Sequence, residues 1–275
     1  MIEPIKTKII KLTFIYIITI IFLIPLYWLI ISSLKTDSEI TRFPPTFFPK
    51  VFSFKNFPNV WRYLHFTRTF YNSLIVTAPT TILIVLFSSM AGYAFAKLRF
   101  LGKNILLLLL IGSMTIPPAA LLLPLFFIIT KMGMYDKLIS LILPFGVTVF
   151  GVFFMKQSIE QVPNSILYSA KIDGCGEFGV FFRIILPILK PSLTSLVIIE
   201  FVNNWNSFTM PLVLLKTNEK FTIPLRLGML SQETVSVPWS QIMAANVLVV
   251  IPIIIIFLIL QRFFVSGIMR GALKG

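Results

Sequence analysis

The chain has 275 residues, is 57% hydrophobic and only 12% charged, and its mean hydropathy is +0.92; these values exclude an ordinary soluble enzyme, because soluble domains carry about 25% charge and so few polar groups cannot cover the apolar surface. The formal charge of +14 would suggest nucleic acid as the partner of a soluble protein. Here the basic residues lie between long apolar runs, where they set topology against anionic lipid, so the expected surroundings are a lipid bilayer and not nucleic acid. The single cysteine, Cys175, excludes an intrachain disulfide and cannot build a metal cluster by itself.

Six apolar segments appear in chain order, at residues 12–34, 73–96, 104–129, 138–155, 191–215 and 242–264. Each approaches the ~20 residues that a helix needs to cross a ~30 Å hydrocarbon layer, and helices satisfy their own backbone groups in lipid. The expected fold is all-α, a polytopic membrane protein with six transmembrane helices in one domain. The first run follows a basic start and is longer than a signal-peptide core, so a retained span is expected. Residues 35–72 carry Pro44, Pro45, Pro49 and Pro58 among aromatic residues; they predict an ordered external loop with a short helix near 59–64. The fourth run is the shortest and contains Pro144, which leaves its ends less defined.

Basic residues orient these segments. Lys6, Lys8 and Lys11 precede the first; Lys97, Arg99 and Lys103 crowd the link between the second and third. Lys156, Lys171, Arg183 and Lys190 lie between the fourth and fifth, and Arg262, Arg270 and Lys274 follow the sixth. The overall bias is modest, since long loops weaken the positive-inside rule. The dense 97–103 link decides for both termini in the cytoplasm.

The third segment holds Pro117 and Pro118 inside a run that as one helix would be about 39 Å long. Adjacent prolines remove donors and clash one turn back. Two readings stand, a packing kink or a break that lines a translocation route. In the fifth segment Glu200 lies roughly 14 Å beyond Pro191, where a carboxylate marks a functional site by default. Glu200, Asn203, Asn204 and Ser207 follow at helical spacing and share one face. Such a stripe either lines a pathway for a hydrated solute or forms interhelical hydrogen bonds. One carboxylate without an intramembrane basic partner does not make a proton relay.

Residues 156–190 are too polar to span. Pro163 opens a short helix in which Ile166 and Ala170 share a face. The chain turns at Asp173-Gly174, with Asp173 placed to cap the next helix, and Phe178, Phe181, Phe182 and Ile185 then form an apolar stripe. The pattern predicts two short helices with a glycine elbow lying flat on the inner membrane face. It fits an element that receives force from a soluble partner and equally an interfacial hairpin without one.

In this loop, SAKIDGCGEFGVFFRIILPILKPSL resembles the EAA loop of the membrane subunits of ATP-binding-cassette importers, in the carbohydrate variant similar to the maltose and glycerol-phosphate permeases. Tyr168, Ser169 and Ala170 stand at the family's Glu-Ala-Ala, so only the last Ala is kept. Asp173, Gly174, Arg183, Leu186, Pro187 and Pro191 match, and Cys175 replaces a common Ala. PLYWLIISSLK, NSLIVT, AGYAFAKLRFLGK, the Ile116-Pro117 step, FVNNWNSFTMPLVLL and QRFFVSGIMRGALKG extend the resemblance over residues 25–275.

The resemblance implies an importer-type permease fold in a prokaryotic cytoplasmic (inner) membrane. It implies cytoplasmic ATP-binding subunits, a second and commonly non-identical permease subunit, and an extracytoplasmic solute-binding protein. The sequence itself has no phosphate-binding GxxxxGK[ST] loop, so ATP hydrolysis is expected on other chains. No catalytic residue, metal or cofactor is expected here. The implied coupling residues are Ser169, Ala170, Asp173, Gly174, Leu186 and Pro187. The expected pathway residues are Glu200, Asn203, Asn204, Ser207 and Pro117, and the implied solute is a sugar or oligosaccharide. Importers of glycerol phosphate or polyamine, and a secondary transporter coupled through Glu200, are the alternatives.

Overall fold

The computed structural model describes residues 5–233 and 238–272, without the side chains of 5–6, 230–233 and 262–272. The basic residues Lys6, Arg262, Arg270 and Lys274, and most of the final resembling segment, therefore lie outside the described side chains. The described residues form helices and turns without a strand. Among the described residues, four segments are long and apolar enough to cross a membrane: Thr7–Ser33, Phe66–Lys97, Leu138–Glu160 and Trp239–Gln261. Two bent helix pairs, Lys103–Thr115 with Pro118–Lys131 and Glu177–Ile188 with Lys190–Trp205, raise the number to six if each counts as one span. The residues group into two compact units, Met1–Phe66 with Met229–Pro252 and Thr67–Gly228 with Ile253–Gly275.

In the first unit, the helix Ile5–Ser33 is apolar all round, with Ile15, Tyr16 and Phe22 exposed, as a lipid-facing span requires. Asn56 closes its end: Nδ2 donates to the carbonyl of Ser33, the last residue of the helix, at 2.8 Å and to Lys35 O just beyond it at 3.0 Å. Lys35 is buried; its ammonium donates to the Thr46 carbonyl and lies 4.6 Å from the Trp28 ring centre. Buried Glu39 accepts from the Thr46 hydroxyl at 2.7 Å and the Lys50 N–H at 2.9 Å. These buried charges are satisfied by backbone groups, a hydroxyl and a ring, which keeps their desolvation cost tolerable. The short helix forms at Asn56–Tyr63, earlier than the expected 59–64. Asp37 caps the last helix, accepting from Ser240 N–H at 2.9 Å.

In the second unit, Phe66–Lys97 begins seven residues before the apolar run, because its first turns carry polar residues that bind loops. Asn72 donates to Glu219 O and Phe221 O at 2.8 and 3.0 Å, and Ser73 Oγ accepts from Ile223 N–H at 2.8 Å. At the other end, a methyl group on Gly92 would stand 2.8 Å from Lys156 N and 2.9 Å from Met155 Cβ. Only glycine lets this helix approach Val149–Glu160 so closely. The segment Leu138–Glu160 opens with 3-10 turns at Leu138–Leu141 and Leu143–Phe145 and becomes regular at Val149. Pro144 lacks the donor that α-helix would need there.

The third segment breaks by 100° between Thr115 and Pro118. Ile116 and Pro117 are extended, with ψ of 119° and 133°, because the residue before a proline is pushed out of the helical region. The fifth segment also breaks: its helix runs Lys190–Trp205 and a second starts at Thr209. Ser207 therefore lies beyond the helix that carries Glu200.

Asp136 orders the loop that follows. It has a left-handed φ of 56° and accepts from Lys216 N–H at 2.9 Å, Thr217 N–H at 3.0 Å and Lys220 Nζ at 2.9 Å. Burial alone raises its pKa, but the bonds from Thr217, Lys216 and Lys220 outweigh it and hold the carboxyl well below its usual range. A depressed carboxylate stabilises above the unfolded-state pKa of about 3.9 and loses that contribution as pH falls toward the folded value. Asp136→Asn keeps the left-handed conformation, which Asn tolerates, but removes the charge. Amide exchange at Lys216 and Thr217 should then rise at least tenfold at pH 7. In the wild type the protection factor of these amides should fall only below about pH 4.

Candidate functional site

Two features of the second unit stand on one continuous piece of chain. The first is the elbow between the helices Asn164–Ile172 and Glu177–Ile188. Asp173 ends the first helix, and Gly174 follows with a left-handed φ of 84°. Cys175 N–H reaches back to Ala170 O at 2.9 Å and Gly174 N–H to Lys171 O at 3.1 Å. This pair of bonds is a Schellman closure, which needs a residue free to adopt positive φ. The next helix is capped at Gly176 without a side-chain bond. Asp173 therefore closes the preceding helix and does not cap the following one, contrary to the reading from spacing.

The buried faces also differ from the α-helical pattern. Leu167 and Ala170 are buried, while Ile166 is 40% exposed. In the following helix, Phe181–Ile185 forms a π turn. The wider turn breaks the 3.6-residue period after Val180; Val180, Phe181 and Ile185 are buried, and Phe178 and Phe182 are exposed. The buried set packs with Tyr93, Met155, Ile159 and Leu196; each such side chain is worth about 1.5–3 kcal/mol when fully buried. Tyr93 Oη donates to Glu177 Oε2 at 2.7 Å, and Glu177 also pairs with Lys171. Lys97 Nζ donates to Val162 O at 2.7 Å and Asn164 Oδ1 at 2.9 Å.

The elbow is thus keyed into the bundle on one side. Its other side presents Ser169, Asp173, Gly174 and Pro187, all exposed, with Leu186 half-buried and Ala170 turned inward. The Ser169 hydroxyl is engaged locally, donating to Ser165 O at 3.0 Å. Sequence reasoning missed Tyr93, Lys171 and Glu177, because no pattern reveals a contact between residues 84 positions apart.

The second feature is a cavity of about 280 Å³ lined by Glu200, Asn203, Asn204 and Ser207, together with Ser73, Thr77, Thr148 and Thr222. The chain reaches it directly from the elbow, since Glu177–Ile188 turns by 80° into Lys190–Trp205. Glu200 is 4% exposed and accepts from the Thr148 hydroxyl at 2.8 Å. Thr148 Oγ1 in turn accepts from Gly151 N–H at 3.0 Å and so caps the helix Val149–Glu160. Asn204 Nδ2 donates to Glu200 O at 2.8 Å. The buried Thr222 hydroxyl has no partner among the described residues. The four residues of the predicted stripe meet at one cavity even though Ser207 has left the helix. Pro117 does not line it; it is exposed at the break in the third segment. Thr148 went unnoticed in the sequence, although a Thr before an apolar run is a cap signal.

This arrangement holds a polar recess inside an apolar bundle and links it by one bent helix to an exposed elbow. Comparison with known proteins gives the family and the fold. The family model described as binding-protein-dependent transport system inner membrane component matches residues 84–270. The chain is 36% identical to the arabinooligosaccharides transport system permease protein AraQ of Bacillus subtilis (strain 168), over 95% of this chain and 94% of the relative. It is 34% identical to the AraQ protein of Halalkalibacterium halodurans, over 99% and 98%. Among solved structures it resembles a chain of a bacterial ABC transporter involved in the import of the acidic polysaccharide alginate. That likeness has a TM-score of 0.74 at 20% identity and covers 96% of this chain and 99% of the other.

Proposed function

Because the chain belongs to the binding-protein-dependent transport system inner membrane component family, we propose that it is the permease subunit of an ATP-driven importer that carries a sugar or oligosaccharide across a prokaryotic cytoplasmic membrane. The chain itself is a membrane permease and not a catalyst. In this reading each bent pair counts as one span, giving six, and both termini are cytoplasmic. The dense 97–103 link supports that orientation.

The observation that carries the proposal is the elbow: buried by Leu167, Val180, Phe181 and Ile185 on one side and open at Ser169, Asp173 and Gly174 on the other. That is what an element needs if a soluble subunit pushes on it and the bundle is to respond. Separate ATP-binding subunits dock there, a second permease subunit completes the channel, and a solute-binding protein delivers solute from outside. ATP-driven closure moves the elbow. The 80° bend passes that movement to the helix carrying Glu200, and the cavity opens alternately to either side.

Glu200, Asn203, Asn204 and Ser207 supply acceptors and donors suited to a hydroxyl-rich solute, joined by Thr222. The names of both relatives support an oligosaccharide made of pentose units. The test is purification of the chain from its native membrane, followed by uptake of labelled arabino-oligosaccharides, hexose oligosaccharides, glycerol phosphate and polyamines with and without it. A co-purifying ATPase and chain-dependent uptake of a saccharide are expected. Transport by this chain alone in liposomes, without nucleotide, overturns the proposal.

A further inference from the structure

A second recess, of about 190 Å³, lies behind the elbow and away from the cavity at Glu200. Lys97, Arg99, Lys103 and Lys171 line it with Asn164 and Tyr168. The only carboxylate bound to any of these cations among the described residues is Glu177, on Lys171. Lys97 commits two donors to Val162 O and Asn164 Oδ1 and Lys103 one to Leu98 O, so each ammonium keeps a donor to spare. The recess adjoins the start of the helix Lys103–Gly112, whose N-cap, Gly102, provides no side-chain bond to the first amides. Those amides and the helix dipole favour an anion.

The same helix then presents Ile105, Leu108 and Leu109, exposed by 66%, 71% and 65%. A cationic recess opening onto an apolar helix face has the chemistry of one ligand: a phosphate head with hydrocarbon tails.

We infer that this recess holds the headgroup of an anionic phospholipid, with its acyl chains along Ile105, Leu108 and Leu109, and that the lipid braces the 97–103 link against the helix Asn164–Ile172. Basic recesses between membrane helices bind lipid headgroups in this way. The lipid belongs to the proposed transport cycle, since it holds the back of the elbow whose front takes the push; its presence rests on geometry alone.

The test uses the intact transporter in nanodiscs of phosphatidylcholine, with and without phosphatidylglycerol. Native mass spectrometry counts retained phosphatidylglycerol, and hydrogen exchange follows residues 164–172. Wild type should retain the lipid and gain protection. Arg99→Gln/Lys103→Gln should retain it about thirtyfold more weakly, and Arg99→Gln alone about fivefold. Arg183→Gln, an exposed cation outside the recess, should retain it like wild type; equal loss in this control means diffuse surface charge and overturns the inference. Protection by inorganic phosphate in pure phosphatidylcholine, with no phosphatidylglycerol retained, assigns the recess to free phosphate and overturns the lipid. Unchanged lipid retention with loss of the ATPase from the double variant assigns the cations to the partner and also overturns it. Lipid retention by a chain that co-purifies no ATPase sinks the transport proposal and leaves the lipid site standing.

Discussion

Gly174→Val should leave the protein in the membrane and cut ATP-dependent uptake by more than tenfold, while Gly176→Val two residues away should change it less than twofold. Gly174 has a φ of 84°, and a methyl group there would meet nothing within 4 Å. The cost is therefore purely backbone: an L-residue in the left-handed region loses roughly 1–2 kcal/mol, and a β-branched one more. That strain falls on the two bonds closing the elbow, Cys175 N–H to Ala170 O and Gly174 N–H to Lys171 O. Gly176 also has open space around it, but its φ of −70° and ψ of 169° are extended backbone that valine accepts. Equal loss in both variants would mean that bulk at the docking surface matters and the turn does not.

Asp173 separates these roles further. A carboxylate at a helix C-terminus opposes the dipole by about 0.3–1 kcal/mol, so Asp173→Lys should slightly stabilise the helix Asn164–Ile172. If the exposed carboxylate meets an ATPase subunit, the same change should uncouple ATP hydrolysis from uptake. Uptake at wild-type level in Asp173→Lys removes Asp173 from the docking surface. The readout is uptake per ATP hydrolysed in proteoliposomes.

The second large effect is expected at Glu200. Glu200→Ala should reduce uptake at least tenfold with membrane abundance within twofold of wild type. The carboxylate accepts a hydrogen bond from the Thr148 hydroxyl, and interhelical hydrogen bonds in membranes average only about 0.6 kcal/mol. A loss of that size does not unfold a domain whose typical stability is about 5–15 kcal/mol. The Asn204 bond to Glu200 O uses the backbone and survives the substitution. Glu200→Gln keeps an acceptor for Thr148 but cannot ionise, so it tells whether the solute needs a carboxyl group or only an acceptor. Loss of abundance in both variants, followed by quantitative blotting of membranes, would make the carboxylate structural glue and remove it from the pathway.

The sites were unequally legible. The Asp173-Gly174 turn could be read because positive φ has a residue signature, and the Glu200 stripe because a carboxylate in an apolar run is costly. The faces of the elbow were read in part. A stripe through Phe178, Phe181, Phe182 and Ile185 needs 3.6 residues per turn throughout; the π turn at Phe181–Ile185 breaks that period, and Phe178 and Phe182 are exposed. Nothing local announces that turn; its buried residues Phe181 and Ile185 share a cluster with Tyr93 and Met155. Asp173 was assigned to the wrong helix for a related reason. An Asp beside a Gly fits both a helix end and the next helix's start, and only the Schellman bonds distinguish them.

By itself, the sequence determined the membrane environment, the all-α class, the ordered set of family segments and the elbow's glycine. These depend on composition, on runs long enough for a bilayer and on local backbone preference, which neighbours in space do not alter. Only the tertiary structure decided that the third and fifth apolar runs are broken helices, that Ser207 joins Glu200 across a break, and that Thr148 holds the carboxylate. It alone brought Tyr93 to Glu177 and gathered Lys97, Arg99, Lys103 and Lys171 around one recess. Hydrogen bonds and ion pairs between distant residues depend on how helices cross. Those crossings follow from close approaches such as Gly92 against Met155 and Lys156, which one-dimensional periodicity does not encode.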